Sequence, residues 1–327
     1  MEASNRVVEP AATLKLQARS LGFELVGVCS ADAPTHLEAY RSWLGKGYHG
    51  TMDYLERQLP LKVHPRELLI SAKSVVAVGL NYNQPNPREE GAPRIARYAL
   101  GRDYHKVIRG KLRRLAKWIE ENHEGAECRA CVDSAPILER EYAHQAGLGW
   151  FGKNTMLIDS QRGSWFFLGL LLTSVEFEPD APALGGCGTC RACIDACPTG
   201  AIVYEEERWQ VDARRCVSYL TIEHEGEIEP ELQKGIGDWT FGCDVCQEVC
   251  PFNAERSNQP LRARRTQEPD FAKRGRWPNL VELTQIEPDQ WDDFTKGSAI
   301  RRTGLDGLRR NAQINLRNYD AAALSTE

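Results

Sequence analysis

The chain has 327 residues, 42% of them hydrophobic, and carries 41 basic against 46 acidic residues for a formal net charge of -5. That length buries more than one core, so two or three domains are expected, while the negative balance excludes capture of nucleic acid by overall charge. The longest apolar run, residues 165–172, is too short to cross a bilayer, and no secretory or twin-arginine pattern opens the chain, so a cytoplasmic location with reduced thiols is expected.

Residues 11–21 repeat apolar side chains at helical spacing and are followed by Gly22, which suits a left-handed helix cap. Residues 23–30 then read as a buried strand, and residues 74–80 as a second one, stopped by the run Asn81-Tyr-Asn-Gln-Pro-Asn-Pro87. Ile108, Leu112, Leu115 and Ile119 mark one face of a long helix. A short strand at 128–132 precedes a helix at 137–146 that ends at Gly147, and residues 165–172 form a fully buried strand. Helices and strands thus alternate to about residue 175, which predicts an α/β domain at 1–177 with its sheet covered by helices. A Pro- and Gly-rich linker at 178–186 opens a second unit at 178–258, and 259–327 is a small helical segment, most clearly so at 299–318.

Eight of the eleven cysteines define the second unit: Cys187-x2-Cys190-x2-Cys193-x3-Cys197-Pro198, then Cys216, then Cys243-x2-Cys246-x3-Cys250-Pro251. In two-cluster ferredoxin folds the C-x2-C-x2-C-x3-C-P run gives three thiolates to one 4Fe-4S cube and sends its fourth to the other. This assigns Cys187, Cys190, Cys193 and Cys250 to a first cube and Cys197, Cys216, Cys243 and Cys246 to a second. The gap between Cys216 and Cys243 asks for a helical insertion. Two structural zinc sites would also use eight cysteines, but zinc ribbons rarely place proline directly after the last cysteine of a block, twice over. Two adjacent cubes make an electron wire, fed by a soluble donor of the flavodoxin or ferredoxin type. The remaining Cys29, Cys128 and Cys131 read as buried, inert thiols. Cys128 and Cys131 sit three apart on a strand, so their side chains point to opposite faces.

Two segments of the first half are unusual for a plain sheet. In Val132-Asp-Ser-Ala-Pro-Ile-Leu-Glu-Arg140 an acid ends a strand before a helix that Pro136 is placed to start, so Asp133 is either an N-cap or a proton donor facing a crevice. In Gly147-Leu-Gly-Trp-Phe-Gly-Lys-Asn-Thr155 three glycines let the backbone approach a large ligand, although neither nucleotide-binding fingerprint is met. Seven Lys or Arg between Arg256 and Arg276, and five Arg between Arg301 and Arg317 against Asp306 alone, are compatible with a polyanionic partner and with a plain solvated face.

Taken with Gly163-Ser-Trp-Phe-Phe-Leu168, the Cys-Pro-Thr-Gly-Ala-Ile run from Cys197, Cys216-Val-Ser-Tyr-Leu-Thr-Ile-Glu223 and Cys243-Asp-Val-Cys-Gln-Glu-Val-Cys-Pro251, these segments resemble the epoxyqueuosine reductases of tRNA modification. The tail resembles a single HEAT-like helical repeat centred on Leu308-Arg-Arg-Asn311. The chain departs from the family pattern at Lys62 and His64, where Arg and Asp more often precede the proline. The resemblance implies a base-off cobalamin held between the α/β domain and two 4Fe-4S clusters, reducing epoxyqueuosine at the tRNA wobble position to queuosine. It implies Asp133 as general acid with a pKa raised by burial, and cofactor contacts from Asp133, Lys153, Asn154, Thr155, Arg57, Tyr98, Ser164, Ser218 and Asp244. Phosphate contacts fall at residues 262–265 and 301–310, and the protein is expected to act as a monomer. A corrinoid reductive dehalogenase, or a non-catalytic electron carrier or corrinoid-handling protein, are the competing readings. The first usually carries an export signal and a longer chain, and the last two need no proton donor.

Overall fold

In the computed structural model, which describes residues 8–87, 91–254, 263–273, 275 and 277–324, the first half is built on a helix-covered sheet. Its elements are α1 (Ala12–Ser20), β1 (Leu25–Ser30), α2 (Leu37–Gly45), α3 (Tyr54–Arg57), α4 (Leu59–Lys62), β2 (Ser74–Asn81), β3 (Arg94–Ile95), α5 (Tyr104–Asn122), β4 (Cys128–Cys131), α6 (Glu139–Gln145), β5 (Trp150–Phe151), β6 (Leu157–Ile158) and β7 (Phe166–Thr173). Four of them form a sheet in the order β1-β2-β7-β4. Although helices and strands alternate along the chain, every neighbouring pair in this sheet is antiparallel, with Val28 opposite Val76, Val78 opposite Gly169 and Cys131 opposite Leu170.

The central strands β2 and β7 are buried along nearly their whole length, as their continuous apolar runs require. On one face Leu14 of α1 and Ile108, Leu112, Leu115 and Ile119 of α5 pack with Val76, Val78 and Leu171. On the other, Tyr142 and Ala143 of α6 pack with Val75, Ala77 and Leu172. Cys128 and Cys131 belong to these two opposite cores, and burial pushes both thiols up to about 11. Burial likewise holds Cys29 up at about 12.

Helix α6 starts at Glu139, three residues later than Pro136 suggests, because Ile137 and Glu139 donate to Ala135 and Ile137 in successive tight turns. Asp133 therefore caps no helix. It stands alone past the end of β4 with φ of 49°, a left-handed conformation that costs a non-glycine residue about 1–2 kcal/mol.

The cysteine-rich unit contains α7 (Ala192–Asp195), the hairpin β8 (Ile202–Glu205) and β9 (Arg208–Val211), α8 (Val217–Ile222), α9 (Pro230–Ile236), β10 (Trp239–Phe241) and α10 (Val245–Glu248). Two helices and a strand thus fill the interval between Cys216 and Cys243. Strand β10 pairs in parallel with β3 of the first half. A buried polar knot makes a second seam: Gln247 donates to the Ser164 carbonyl and hydroxyl at 3.0 Å, while Ser164 N donates to Asn253 Oδ1 at 2.8 Å.

The C-terminal part comprises α11 (Leu280–Thr284), α12 (Pro288–Thr295), a short 3-10 turn and α13 (Gly304–Leu324). Before it, residues 263–273 return to the first half, where Phe271 packs on Phe167 and Thr266 N donates to Asn83 O at 2.7 Å. The boundary expected at 258–259 lies outside the described residues, as do Arg256, Arg262, Arg274 and Arg276 of the basic run. No helix among the described residues is long and apolar enough to cross a membrane.

A row of asparagines along α13 clamps it to the cysteine-rich unit. Asn311, fully buried, donates to the Thr221 and Thr240 carbonyls at 2.8 and 2.9 Å. Asn315 donates to Gly237 O at 2.9 Å, and Arg310 donates to the carbonyls of Leu220, His224 and Gly226. Replacing Asn311 with Ala removes both of these hydrogen bonds, leaving Thr221 O with its bond from Thr303 Oγ1, so chemical denaturation should show a loss of about 1–3 kcal/mol.

Candidate active site and cluster ligands

The sulfurs of the eight cysteines lie close enough to raise one another's pKa values. Burial chiefly, with the charges of Cys187, Cys250 and Cys190 adding to it, raises the Cys193 thiol to about 11. Cys250 responds in turn to Cys187 and Cys190. In the other set, burial followed by Cys216 and Cys197 raises Cys243, while Cys246 is raised by burial and then by Cys243, Cys216, Cys193 and Cys197. The appearance of Cys193 in that last group shows that the two sets adjoin. Backbone N–H groups point at several sulfurs, as when Ala201 N donates to Cys197 Sγ at 3.3 Å. Crowded, partly buried thiols with amide donors suit iron, whose charge would reverse the upward shifts. They are poorly suited to remain as bare thiols.

Asp133 lies past the end of β4 with its side chain 58% exposed, because α5 and β4 run back along each other and bring the start of one beside the end of the other. His105, in the first turn of α5, places Nε2 at 2.8 Å from Asp133 Oδ2 and Nδ1 at 2.7 Å from Asp103 Oδ1. Asp103 also caps α5, accepting from His105 N at 3.0 Å. Burial alone would lower the imidazole pKa, but the hydrogen bonds and charges of the two carboxylates outweigh it and raise it to about 9. For Asp133 burial pulls upward, yet the hydrogen bond and charge of His105, with a smaller contribution from Tyr104, hold it below the ordinary carboxylate value. The raised pKa expected of Asp133 is thus found elsewhere. Glu139, whose Oε1 accepts from Asp133 N at 2.6 Å, is pushed to about 8 by burial and by the charge of Asp133.

Tyr54, Tyr98 and Tyr104 surround this acid, and the field of Asp133 reaches all three hydroxyls. Tyr98 also feels Asp244, so it bridges the acid and the second cysteine set. Asp244 is buried, accepts from Arg97 N at 2.8 Å, and is raised to about 7 chiefly by burial. Ser218 lies half-buried on α8, next to Cys216 and Val217.

The other expected cofactor contacts are placed differently. Lys153 donates to the carbonyls of Gly188 and Cys190 at 2.8 and 2.9 Å, and Asn154 donates to Cys246 O at 3.2 Å. Both side chains are engaged by the cysteine loops. Thr155 has φ of 62° and accepts from Arg140 through its carbonyl. Ser164 is consumed by the buried knot described above, and Arg57 is exposed at the end of α3. Sequence reasoning passed over Tyr104 and His105 and quoted Glu139 without a role. A Tyr-His pair directly after the capping Asp103 was the available signal.

The fold and the cysteine blocks define an iron-sulfur oxidoreductase in which Tyr98 lies between Asp133 and the segment around Cys243. Residues 62–134 match the family model for epoxyqueuosine reductase QueG, DUF1730, and residues 186–253 match that of the 4Fe-4S double cluster binding domain. The epoxyqueuosine reductase of Vibrio cholerae is 44% identical over 316 residues, covering 93% of this chain and 82% of that protein. Its Escherichia coli K12 counterpart is 42% identical over 313 residues, covering 93% and 80%. A solved epoxyqueuosine reductase with an epoxyqueuosine-modified tyrosine tRNA stem loop superposes with a TM-score of 0.81 at 30% identity, over 96% of this chain and 83% of that one. The Streptococcus thermophilus enzyme gives 0.78 at 31% identity, over 94% and 81%. The chain belongs to the epoxyqueuosine reductase family.

Two outcomes follow from this geometry. Because His105 titrates at about 9 when folded and at 6.5 when free, its stabilisation is complete below 6.5 and is lost as pH rises through 9. Unfolding free energy of the metal-free protein should therefore fall across that window, and His105→Gln should remove the part owed to the imidazole. Cys250→Ala should cost the first cube and spare the second, so iron content falls by about half. Loss confined to the second cube would instead assign Cys250 there.

Proposed function

We propose that the Asp133 cleft reduces the epoxide of epoxyqueuosine in tRNA to the alkene of queuosine, with cobalamin as the reducing cofactor. The observation that carries this is the Asp103–His105–Asp133 chain, a proton store that opens into a cleft beside the second cysteine set. The residues fit a corrin: three tyrosines give a broad apolar wall with polar tips around an exposed acid. Tyr98, Tyr104, Asp133, Ser218 and Asp244 would hold it, and when bound it supplies strongly reducing cobalt close to the substrate carbon.

Removing the epoxide oxygen as water consumes two electrons and two protons. One C–O bond opens as the oxygen takes a proton and becomes a hydroxyl, and the second breaks as that hydroxyl takes a proton and leaves as water. Asp133 is ionised at neutral pH, so each proton rests on His105 Nε2 and passes through Asp133 to the oxygen, and His105 is reprotonated from solvent between the two steps. Glu139 stays protonated to about pH 8 and keeps the Asp133 backbone in place through its 2.6 Å hydrogen bond. A Bacillus subtilis relative was solved with its aspartate-bearing catalytic loop swung out of the active site, which supports treating the Asp133 turn as a part that moves. Cys187, Cys190, Cys193 and Cys250 hold the cube that takes electrons, and Cys197, Cys216, Cys243 and Cys246 hold the one beside the cleft. The proposal includes a cytoplasmic monomer and a soluble flavodoxin- or ferredoxin-type donor, which shares a compartment with tRNA.

The test is mass spectrometry of tRNA nucleosides from cells lacking the gene. Epoxyqueuosine should accumulate and be converted to queuosine by the intact gene but not by Asp133→Asn. In the purified enzyme that variant should lose about 10²–10⁴-fold in turnover while keeping its iron and corrinoid. Undiminished turnover would remove Asp133 from the proton path, and normal queuosine in the deletion strain would contradict the substrate.

A further inference from the structure

We infer that Trp150 donates a hydrogen bond to a sulfur of the first cube and sets the potential at which that cube is reduced. This inference rests on the ligand assignment proposed above, in which Cys187 and Cys250 share one cube. Trp150 lies in β5 and is only 6% exposed, and its indole Nε1 is fully buried with no hydrogen-bond partner among the described residues. The indole packs in one apolar cluster with Ile158 and Cys250, against which Cys187 and Phe252 lean. Its ring meets that of Phe252 edge to face at 5.0 Å. Gly185, just before Cys187, lies so close that a Cβ there would come within 2.1 Å of Trp150 Cε3. Lys153, on the same glycine-rich segment, donates to the carbonyls of Gly188 and Cys190 at 2.8 and 2.9 Å, so this segment is fastened to the first cysteine loop at two points.

An indole N–H can only donate, and burying it without an acceptor is costly. The side chains of Ile158 and Phe252 offer it none, which leaves the two cysteines of its cluster. A cube held by those cysteines brings the missing acceptors, in its sulfides and in the thiolates that bind it. Reduction adds one negative charge to the cube, so a donor aimed at a sulfur stabilises the reduced form more than the oxidised one. Trp150 therefore raises the potential and makes this cube easier to load from a given electron donor. The indole ligates no iron and acts only through the cube.

The experiment is a redox titration of the cluster-loaded protein followed by electron paramagnetic resonance, in wild type, Trp150→Phe and Trp150→3-benzothienylalanine. The last keeps the shape of the indole and replaces its N–H with sulfur. The first cube is recognised as the signal lost in Cys250→Ala. Both Trp150 variants should keep the wild-type iron content. The reduction equilibrium of the first cube should fall about three- to tenfold, tenfold being about 59 mV for a one-electron couple, with the second cube unchanged. In deuterated water the first cube of both variants should also lack one exchangeable-deuteron coupling that the wild type shows. An unchanged potential in Trp150→3-benzothienylalanine overturns the inference, even where Trp150→Phe loses iron through poor packing, and so does a shift confined to the second cube. A wild type that binds no 4Fe-4S cluster would instead refute the iron-sulfur reading, and the inference falls with it.

Discussion

His105 stands between Asp103 and Asp133 at 2.7 and 2.8 Å, and the chemistry of the cleft depends on that placement. Two carboxylates keep the imidazole protonated well beyond neutral pH, and the imidazole in return keeps Asp133 ionised. A simple picture of one buried acid with a raised pKa is replaced by a charged pair that stores its proton on nitrogen and presents oxygen to the substrate. The arrangement costs backbone strain at Asp133, which the 2.6 Å hydrogen bond to Glu139 offsets.

Tyr98, beside Asp133, packs against residues of the cysteine-rich unit, so the contacts between the two halves bear on the Asp133 site. The Gln247–Ser164–Asn253 knot fixes α10, and with it Cys246 and Cys250, against the end of β7. Strand β10 adds Arg94 and Ile95 of the first half to the cysteine-rich unit, next to Tyr98. On the far side the asparagines of α13 hold the carbonyls of Thr221, Gly237 and Thr240. Arg302, just before α13, reaches Glu223 with a pair of hydrogen bonds at 2.9 and 2.7 Å. Its charge is also felt at Asp133, so the C-terminal part contributes directly to the cleft.

Much of this was legible in the sequence for physical reasons. Ligand spacing on a short chain segment is a covalent constraint, so the two cysteine blocks were legible as a double 4Fe-4S binding unit before any coordinates. Helical periodicity likewise located α5, and strand geometry put Cys128 and Cys131 on opposite faces. What stayed hidden was long-range placement. Alternating helices and strands do not disclose that the sheet is antiparallel. The 28-residue separation of His105 and Asp133 carries no signal until α5 folds back along β4. Lys153 and Asn154 followed a glycine-rich loop that invites a ligand, yet their side chains brace the cysteine loops, and nothing local distinguishes those two uses. Pro136 suggested a helix start that the successive tight turns before Glu139 displaced.

The most direct measurement is a histidine NMR titration of the metal-free protein, with the His105 resonance assigned by its absence in His105→Gln. A pKa near 9, falling toward the ordinary value in Asp133→Asn, is the expected result. Titration at or below 6.5 in the wild type would show that the imidazole is neutral when the enzyme works, and the proton store in this cleft would have to be sought in Glu139 instead.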